Sequence, residues 1–199
     1  MQVAYLLYDL LLVVAFILYF PFALYKMIVK GKYREGVAQR FGFLPTEIKD
    51  KFADGEVIWV HAVSVGETVA ASSLVTEIRN KYPNHKILFS TVTDTGQEMA
   101  HKIINEADGF IYFPFDFFFF LKKVLKDINP KLVVIMETEL CPNFIREASN
   151  QGSKVMIANG RIDDDSAQNY KYLGPIMKDM LNNIDILSMP TGQGMIIKN

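Results

Sequence analysis

Glu67 and Glu137 are the side chains in this sequence best placed to do chemistry. Glu67 closes the run Val-Ile-Trp-Val-His-Ala-Val-Ser-Val-Gly-Glu over residues 57–67, and Glu137 opens Glu-Thr-Glu-Leu-Cys-Pro-Asn over residues 137–143. Residues 57–63 read as a buried strand, a short β-branched apolar run with an aromatic and no breaker. Helical spacing resumes over residues 68–81, so Glu67 sits where a strand hands over to a helix. Residues 132–136 form a second branched strand ahead of Glu137, and Pro142 is a good first helical residue. Both glutamates therefore fall at the carboxyl ends of strands, where open α/β sheets place their ligands. Two carboxylates at one edge are the raw material for acid–base work or for stabilising a cationic centre. The helix dipole favours the charged form of a first-turn carboxylate, which suits Glu67 to be a base. The plain alternative for Glu67 is a helix-start residue, because acids are common in first turns.

Several other chemistries are disfavoured by what accompanies these corners. The formal net charge of −1 argues against nucleic acid as a partner. The single cysteine, Cys141, excludes an internal disulfide and makes a thiolate-rich metal site implausible. His61, His85 and His101 show no metal-ligand spacing, so neither a metal nor a cofactor is expected. His61 reads as a neutral core residue or one that shapes the site. No phosphate loop and no Gly-x-Gly-x-x-Gly follows the first strand, against a nucleotide-dependent kinase or dehydrogenase. Ser64 lacks the glycine two residues before it that a nucleophile elbow carries, against a serine hydrolase.

The elements that would position the two glutamates follow from hydrophobic patterning. Residues 1–27 are almost wholly apolar, with Asp9 their one charge before Lys26. That length matches the roughly 20 residues needed to cross a hydrocarbon core, predicting a transmembrane anchor. Basic residues after it put the downstream part in the cytoplasm and the amino terminus outside. Residues 28–55 form a basic connector in which Arg34 and Arg40 could hold lipid phosphates, and a solvated linker helix is equally compatible. From residue 56 to 188 strand and helix candidates alternate, which predicts an α/β fold, a doubly wound parallel sheet with right-handed crossovers. The tail 189–199 carries no expected element. The run Phe117–Phe120 covers every side of a helical turn; it reads either as a lipid-contacting patch or as a wedge between sheet and helices.

Trp59-Val60-His61-Ala62-Val63-Ser64-Val65-Gly66-Glu67 and Glu137-Thr138-Glu139-Leu140-x-Pro142-Asn143 resemble the two signatures of the Kdo (3-deoxy-D-manno-octulosonic acid) transferases of lipopolysaccharide assembly. The resemblance extends to the anchor, Arg34-Glu35-Gly36, Gln39-Arg40-Phe41-Gly42, Thr91 with Thr95-Gly96, Phe113-Pro114-x-Asp116 and Asn159-Gly160-Arg161. It implies the Rossmann-like amino-terminal half of an inverting GT-B glycosyltransferase, facing a lipid A precursor at the cytoplasmic side of the cell inner membrane. The family's general base falls on Glu67 and its transition-state glutamate on Glu137. Ser64, Gly66, Arg34 and Arg40 are the candidate substrate-binding residues. CMP-Kdo would be held by a carboxy-terminal donor domain with a functional lysine, which has no counterpart in this sequence, so the chain alone is expected to be inactive. Cys141 stands where the family has tryptophan. The competing expectation is a non-catalytic, membrane-anchored module that binds a glycolipid or a partner.

Overall fold

The computed structural model describes residues 2–29, 35–137, 141–160, 174–189 and 196–197. A long helix, α1 (Gln2–Val29), is followed by two short ones, α2 (Val37–Arg40) and α3 (Thr46–Phe52). Then come β1 (Val57–His61), α4 (Val65–Lys81), β2 (Lys86–Thr91), α5 (Asp94–Ile103) and β3 (Gly109–Tyr112). The second half holds α6 (Phe118–Ile128), β4 (Leu132–Met136), α7 (Pro142–Asn150) and β5 (Lys154–Ala158). Last are α8 (Gly174–Asn183), β6 (Ile186–Leu187) and β7 (Ile196–Ile197).

The strands lie in the order β3-β2-β1-β4-β5-β6-β7. All neighbours are parallel except β6 and β7. The chain winds outward from β1 to β3, returns to β4, and winds outward again, so this is the Rossmann-like doubly wound sheet expected from the sequence. Its winding reverses between β1 and β4. Every residue of β1 is buried, as a central strand covered on both faces must be. Alternate side chains feed two cores. Trp59, Leu88, Val133 and Ile135 face α6 and α7, while Ile58, Val60, Phe89 and Val134 face α4 and α5.

Two regions depart from the sequence reading, and a third divides between its two alternatives. Ile196–Ile197, in the tail expected to carry no element, pairs antiparallel with Ile186–Leu187. The connector is folded where it is described, and Arg34 lies outside the described residues. Gly36 has a left-handed φ of 66°, and a Cβ there would meet the Tyr112 ring at 1.9 Å, so glycine alone lets the connector lie against β3. Arg40 is buried, its guanidinium 4.5 Å over Tyr112 and 3.6 Å from Asp94, not turned toward a lipid phosphate. The phenylalanine run divides: Phe117 is buried, whereas Phe118 and Phe119 are exposed.

Helix α1 is long and apolar enough over Val3–Phe22 to cross a membrane. One stripe of it touches the α/β domain. Tyr5 Oη donates to Asp179 of α8 at 2.9 Å, Tyr8 Oη donates to Asp116 at 2.9 Å, and Asn143 Nδ2 of α7 donates to Asp9 at 2.7 Å. Phe16 meets Phe41, Phe115 and Phe117 edge-on.

Candidate active site

β1 and β4 are hydrogen-bonded neighbours, and Glu67 and Glu137 follow their carboxyl ends on either side of the point where the winding reverses. Ser64 is the N-cap of α4; its Oγ accepts from the Glu67 amide at 3.4 Å and donates to Glu67 Oε1 at 2.9 Å. Glu67 Oε2 accepts from the Val63 amide at 2.8 Å. This is a variant capping box: the Ser-x-x-Glu pattern is present, but Glu67 reaches back to the amide of Val63, one residue before the N-cap. The carboxylate is buried, 6% exposed. A carboxylate offers about four lone-pair sites, so two hydrogen bonds orient the group and leave acceptor capacity for a proton.

Glu137 is built differently. Its φ of 56° lies in the left-handed region, which a non-glycine residue enters at a cost of about 1–2 kcal/mol. Its amide still donates to Ala158 O at 2.8 Å, extending the β4–β5 ladder by one bond. Asn159, at the end of β5, has a φ of 59°. Thus two adjacent strands end in left-handed residues at one edge, and such outliers gather where a site constrains the backbone. Asn before glycine is a readable signal for this conformation. Asn159 is the site-edge residue the sequence reading left without a role.

The α7 helix, which starts beyond Glu137, has no cap from its own N-cap residue Cys141. Asp116 supplies one from elsewhere in the chain: Oδ1 accepts from the Phe144 amide at 3.0 Å and Oδ2 from the Asn143 amide at 3.2 Å. Burial among these groups raises the Asp116 carboxyl to about 7, against the pull of its hydrogen bonds.

The sequence model of the family described as 3-Deoxy-D-manno-octulosonic-acid transferase (kdotransferase) matches residues 35–194. The chain belongs to the Kdo transferase family. It is 32% identical over 179 residues to the 3-deoxy-D-manno-octulosonic acid transferase of Chlamydia pneumoniae, covering 89% of this chain and 40% of the relative. The protein of the same name from Haemophilus influenzae is 32% identical over 157 residues, 79% of this chain and 36% of the relative. A bifunctional glycosyltransferase/methyltransferase of Fusobacterium nucleatum is 37% identical over 184 residues, 92% of this chain and 27% of the relative. The chain thus spans about two fifths of the length of the Chlamydia pneumoniae relative. The resemblance read in the two motifs is the true relationship, and the domain is of the glycosyltransferase type.

Within this Kdo transferase domain, His61 does not reach the edge as a base. It is fully buried, stacked 3.9 Å from the Phe113 ring, with Nδ1 2.8 Å from Ser90 Oγ. Burial pushes its pKa down to about 3, so it stays neutral, as the sequence reading allowed. Gly66, by contrast, is exposed, and a Cβ there would meet nothing closer than Ser64 Oγ at 3.9 Å. Nothing inside the protein requires glycine at that position. Among the described residues no cluster of His, Cys, Asp and Glu could hold a metal ion.

Proposed function

We propose that the chain is the acceptor-side part of an inverting GT-B glycosyltransferase that moves Kdo from CMP-Kdo to a lipid A precursor in lipopolysaccharide assembly. The observation that carries this reading is the pair of glutamates flanking the winding reversal between β1 and β4. In this mechanism Glu67 takes the proton from the acceptor hydroxyl as its oxygen attacks the anomeric carbon of Kdo, and CMP leaves from the opposite face. The capping box aims the carboxylate before the acceptor arrives, so little reorganisation is left for the reaction itself. Glu137 sits across the reversal and stabilises the charge that develops at the sugar. Ser64 acts through Glu67 by fixing its carboxylate, and Gly66 leaves room for the acceptor at the start of α4. The inner membrane is the working location, with the sheet edge on the cytoplasmic side.

Positioning a donor and an acceptor in line can be worth roughly 7–11 kcal/mol of the barrier. The donor site belongs, on this reading, to a second domain beyond the part of the relatives that the chain matches. The test follows directly. Residues 1–199 alone should transfer no Kdo, and an enzyme carrying the second domain should transfer it with an absolute need for Glu67. Transfer by the purified 199-residue chain would refute the division of labour, and full transfer after Glu67→Gln would refute the base.

A further inference from the structure

The first half of α1 has its polarity inside out. Between Val3 and Leu18 the only polar side chains are Tyr5, Tyr8 and Asp9. The residues of that half that are covered are Ala4, Tyr5, Tyr8, Asp9, Leu12 and Phe16, at helical spacing; the others through Phe22 are exposed. The outward side is therefore wholly apolar, with Leu6, Leu10 and Leu18 at 67%, 59% and 75% exposure. A helix on the surface of a water-soluble domain turns its apolar stripe inward. Here the polar stripe is inward, bonded to Asp179, Asp116 and Asn143, with the Arg146 guanidinium 4.1 Å over the Tyr5 ring. Such a helix suits an apolar medium on its outer side.

The domain continues the same face. From Phe16 the aromatic contacts pass through Phe117 to Phe119. Phe43, Phe118 and Phe119 are exposed at 60%, 40% and 58%. Lys122 lies 5.3 Å over the Phe118 ring and Lys123 5.3 Å over the Phe43 ring. Aromatics rimmed by ammonium groups suit the boundary between acyl chains and lipid phosphates.

We propose that α1 lies along the surface of a lipid bilayer instead of crossing it, clamped to the domain by Tyr5, Tyr8 and Asp9, so that the amino terminus and the sheet edge share one side of the membrane. The docked stripe from Ala4 to Phe16 is about 18 Å long at ~1.5 Å per residue, more than half of a ~30 Å hydrocarbon core. Crossing with those contacts intact would draw Asp116, Asn143, Arg146 and Asp179 into hydrocarbon. Crossing without them would leave Asp9 unpaired within the span, where a carboxylate is costly. Lying in the interface keeps every one of these groups paired and gives the leucine face to lipid.

The inference rests on the membrane location proposed above, and sidedness labelling separates the two. In a Cys141→Ala background, single cysteines are introduced by Gln2→Cys and, at an exposed domain position, Lys102→Cys. Right-side-out and everted vesicles are treated with a membrane-impermeant maleimide. Both positions should react from the same face. Reaction of Gln2→Cys from the opposite face in a membrane-bound chain overturns the in-plane helix and leaves the membrane location standing. A chain that stays in solution without detergent overturns both. An amino-terminal epitope tag on the unsubstituted chain gives the same reading without touching Cys141: protease should remove it only from the face that exposes the domain.

Discussion

The Glu67 and Glu137 corners occupy equivalent places, each at the end of a parallel strand beside the winding reversal, yet they are constructed in opposite ways. At Glu67 the helix cap is local: Ser64 and Glu67, three residues apart, satisfy the start of α4 and hold the carboxylate at the same time. At Glu137 the carboxylate is carried by a residue that is itself left-handed, and the next helix is capped by Asp116 from 27 residues away. The first corner is a regular structure that carries the proposed base. The second is a strained one whose geometry is imposed by its surroundings, and it is tied through Asp116 and Asn143 to α1. Substitutions at the first should separate chemistry from folding; at the second they should not separate cleanly.

The largest expected effect is at Glu67. In an enzyme carrying the donor domain, Glu67→Gln should lower turnover about a hundredfold or more, the scale of lost general-base help. Stability should change by less than about 1 kcal/mol, because the amide oxygen can still accept from Val63 while the amide NH2 donates to Ser64 Oγ. Turnover and chemical denaturation measured on one preparation check both halves. Near-normal turnover would leave Glu67 as a capping residue only.

Next comes the remote cap. Asp116→Ala strips partners from the Asn143 and Phe144 amides and should cost about 2 kcal/mol, the upper end for a lost cap, against about 1 kcal/mol for Ser64→Ala. The two corners should also differ in pH response. The Asp116 carboxyl keeps its proton up to about 7 in the folded chain but ionises near its ordinary 3.8 when unfolded. Between those values the folded state binds more protons, so this group's contribution to stability is full below 3.8 and is lost as pH rises toward 7. Denaturation midpoints across that range should fall with pH in the parent chain, and Asp116→Asn should flatten this component. An unchanged slope would show that Asp116 titrates normally.

The same contrast explains what the sequence could and could not disclose. The strands ending before both glutamates were legible because each is a short branched run between breakers, and the doubly wound order follows from their alternation with helices. The Glu67 cap was legible in principle, since Ser-x-x-Glu is a local pattern. Asp116 was not, because nothing in Phe113-Pro114-Phe115-Asp116 announces a helix that begins at Pro142. Nor does Met136-Glu137 contain the glycine or asparagine that would mark a left-handed turn. Arg40 read as a surface cation because its burial depends on Tyr112 and Asp94, which only the folded sheet brings near it. The apolar segment at the amino terminus was visible at once, but its polar stripe gains meaning only when Asp179, Asn143 and Asp116 appear opposite it.

At Glu137 itself, glycine would adopt the 56° φ without the Cβ clash. Relief of about 1 kcal/mol is offset in part by the greater freedom of an unfolded glycine, so Glu137→Gly should hold stability or raise it by up to about 1 kcal/mol. Transfer should nonetheless fall at least tenfold if the carboxylate stabilises the reacting sugar. A stability loss larger than about 1 kcal/mol would mean that the side chain holds the turn, and the strain would then have a structural cause.

The smallest effect tests the regular corner at its most permissive residue. Gly66 lies in the first turn of α4, and a Cβ added there would meet only Ser64 Oγ at 3.9 Å, ordinary contact. Alanine is the better helix former by up to about 1 kcal/mol, less near a helix end. Gly66→Ala should therefore leave the chain as stable as before or slightly more so, with the capping box undisturbed. If the acceptor approaches the start of α4 closely enough to be held by Glu67, the added methyl stands in its way, and KM for the acceptor should rise several-fold with kcat changed less. The pairing of those outcomes is what makes the variant informative: a helix that gains stability while acceptor binding weakens locates the glycine's purpose outside the protein. An unchanged KM would move the acceptor away from α4 and toward the Glu137 side of the reversal.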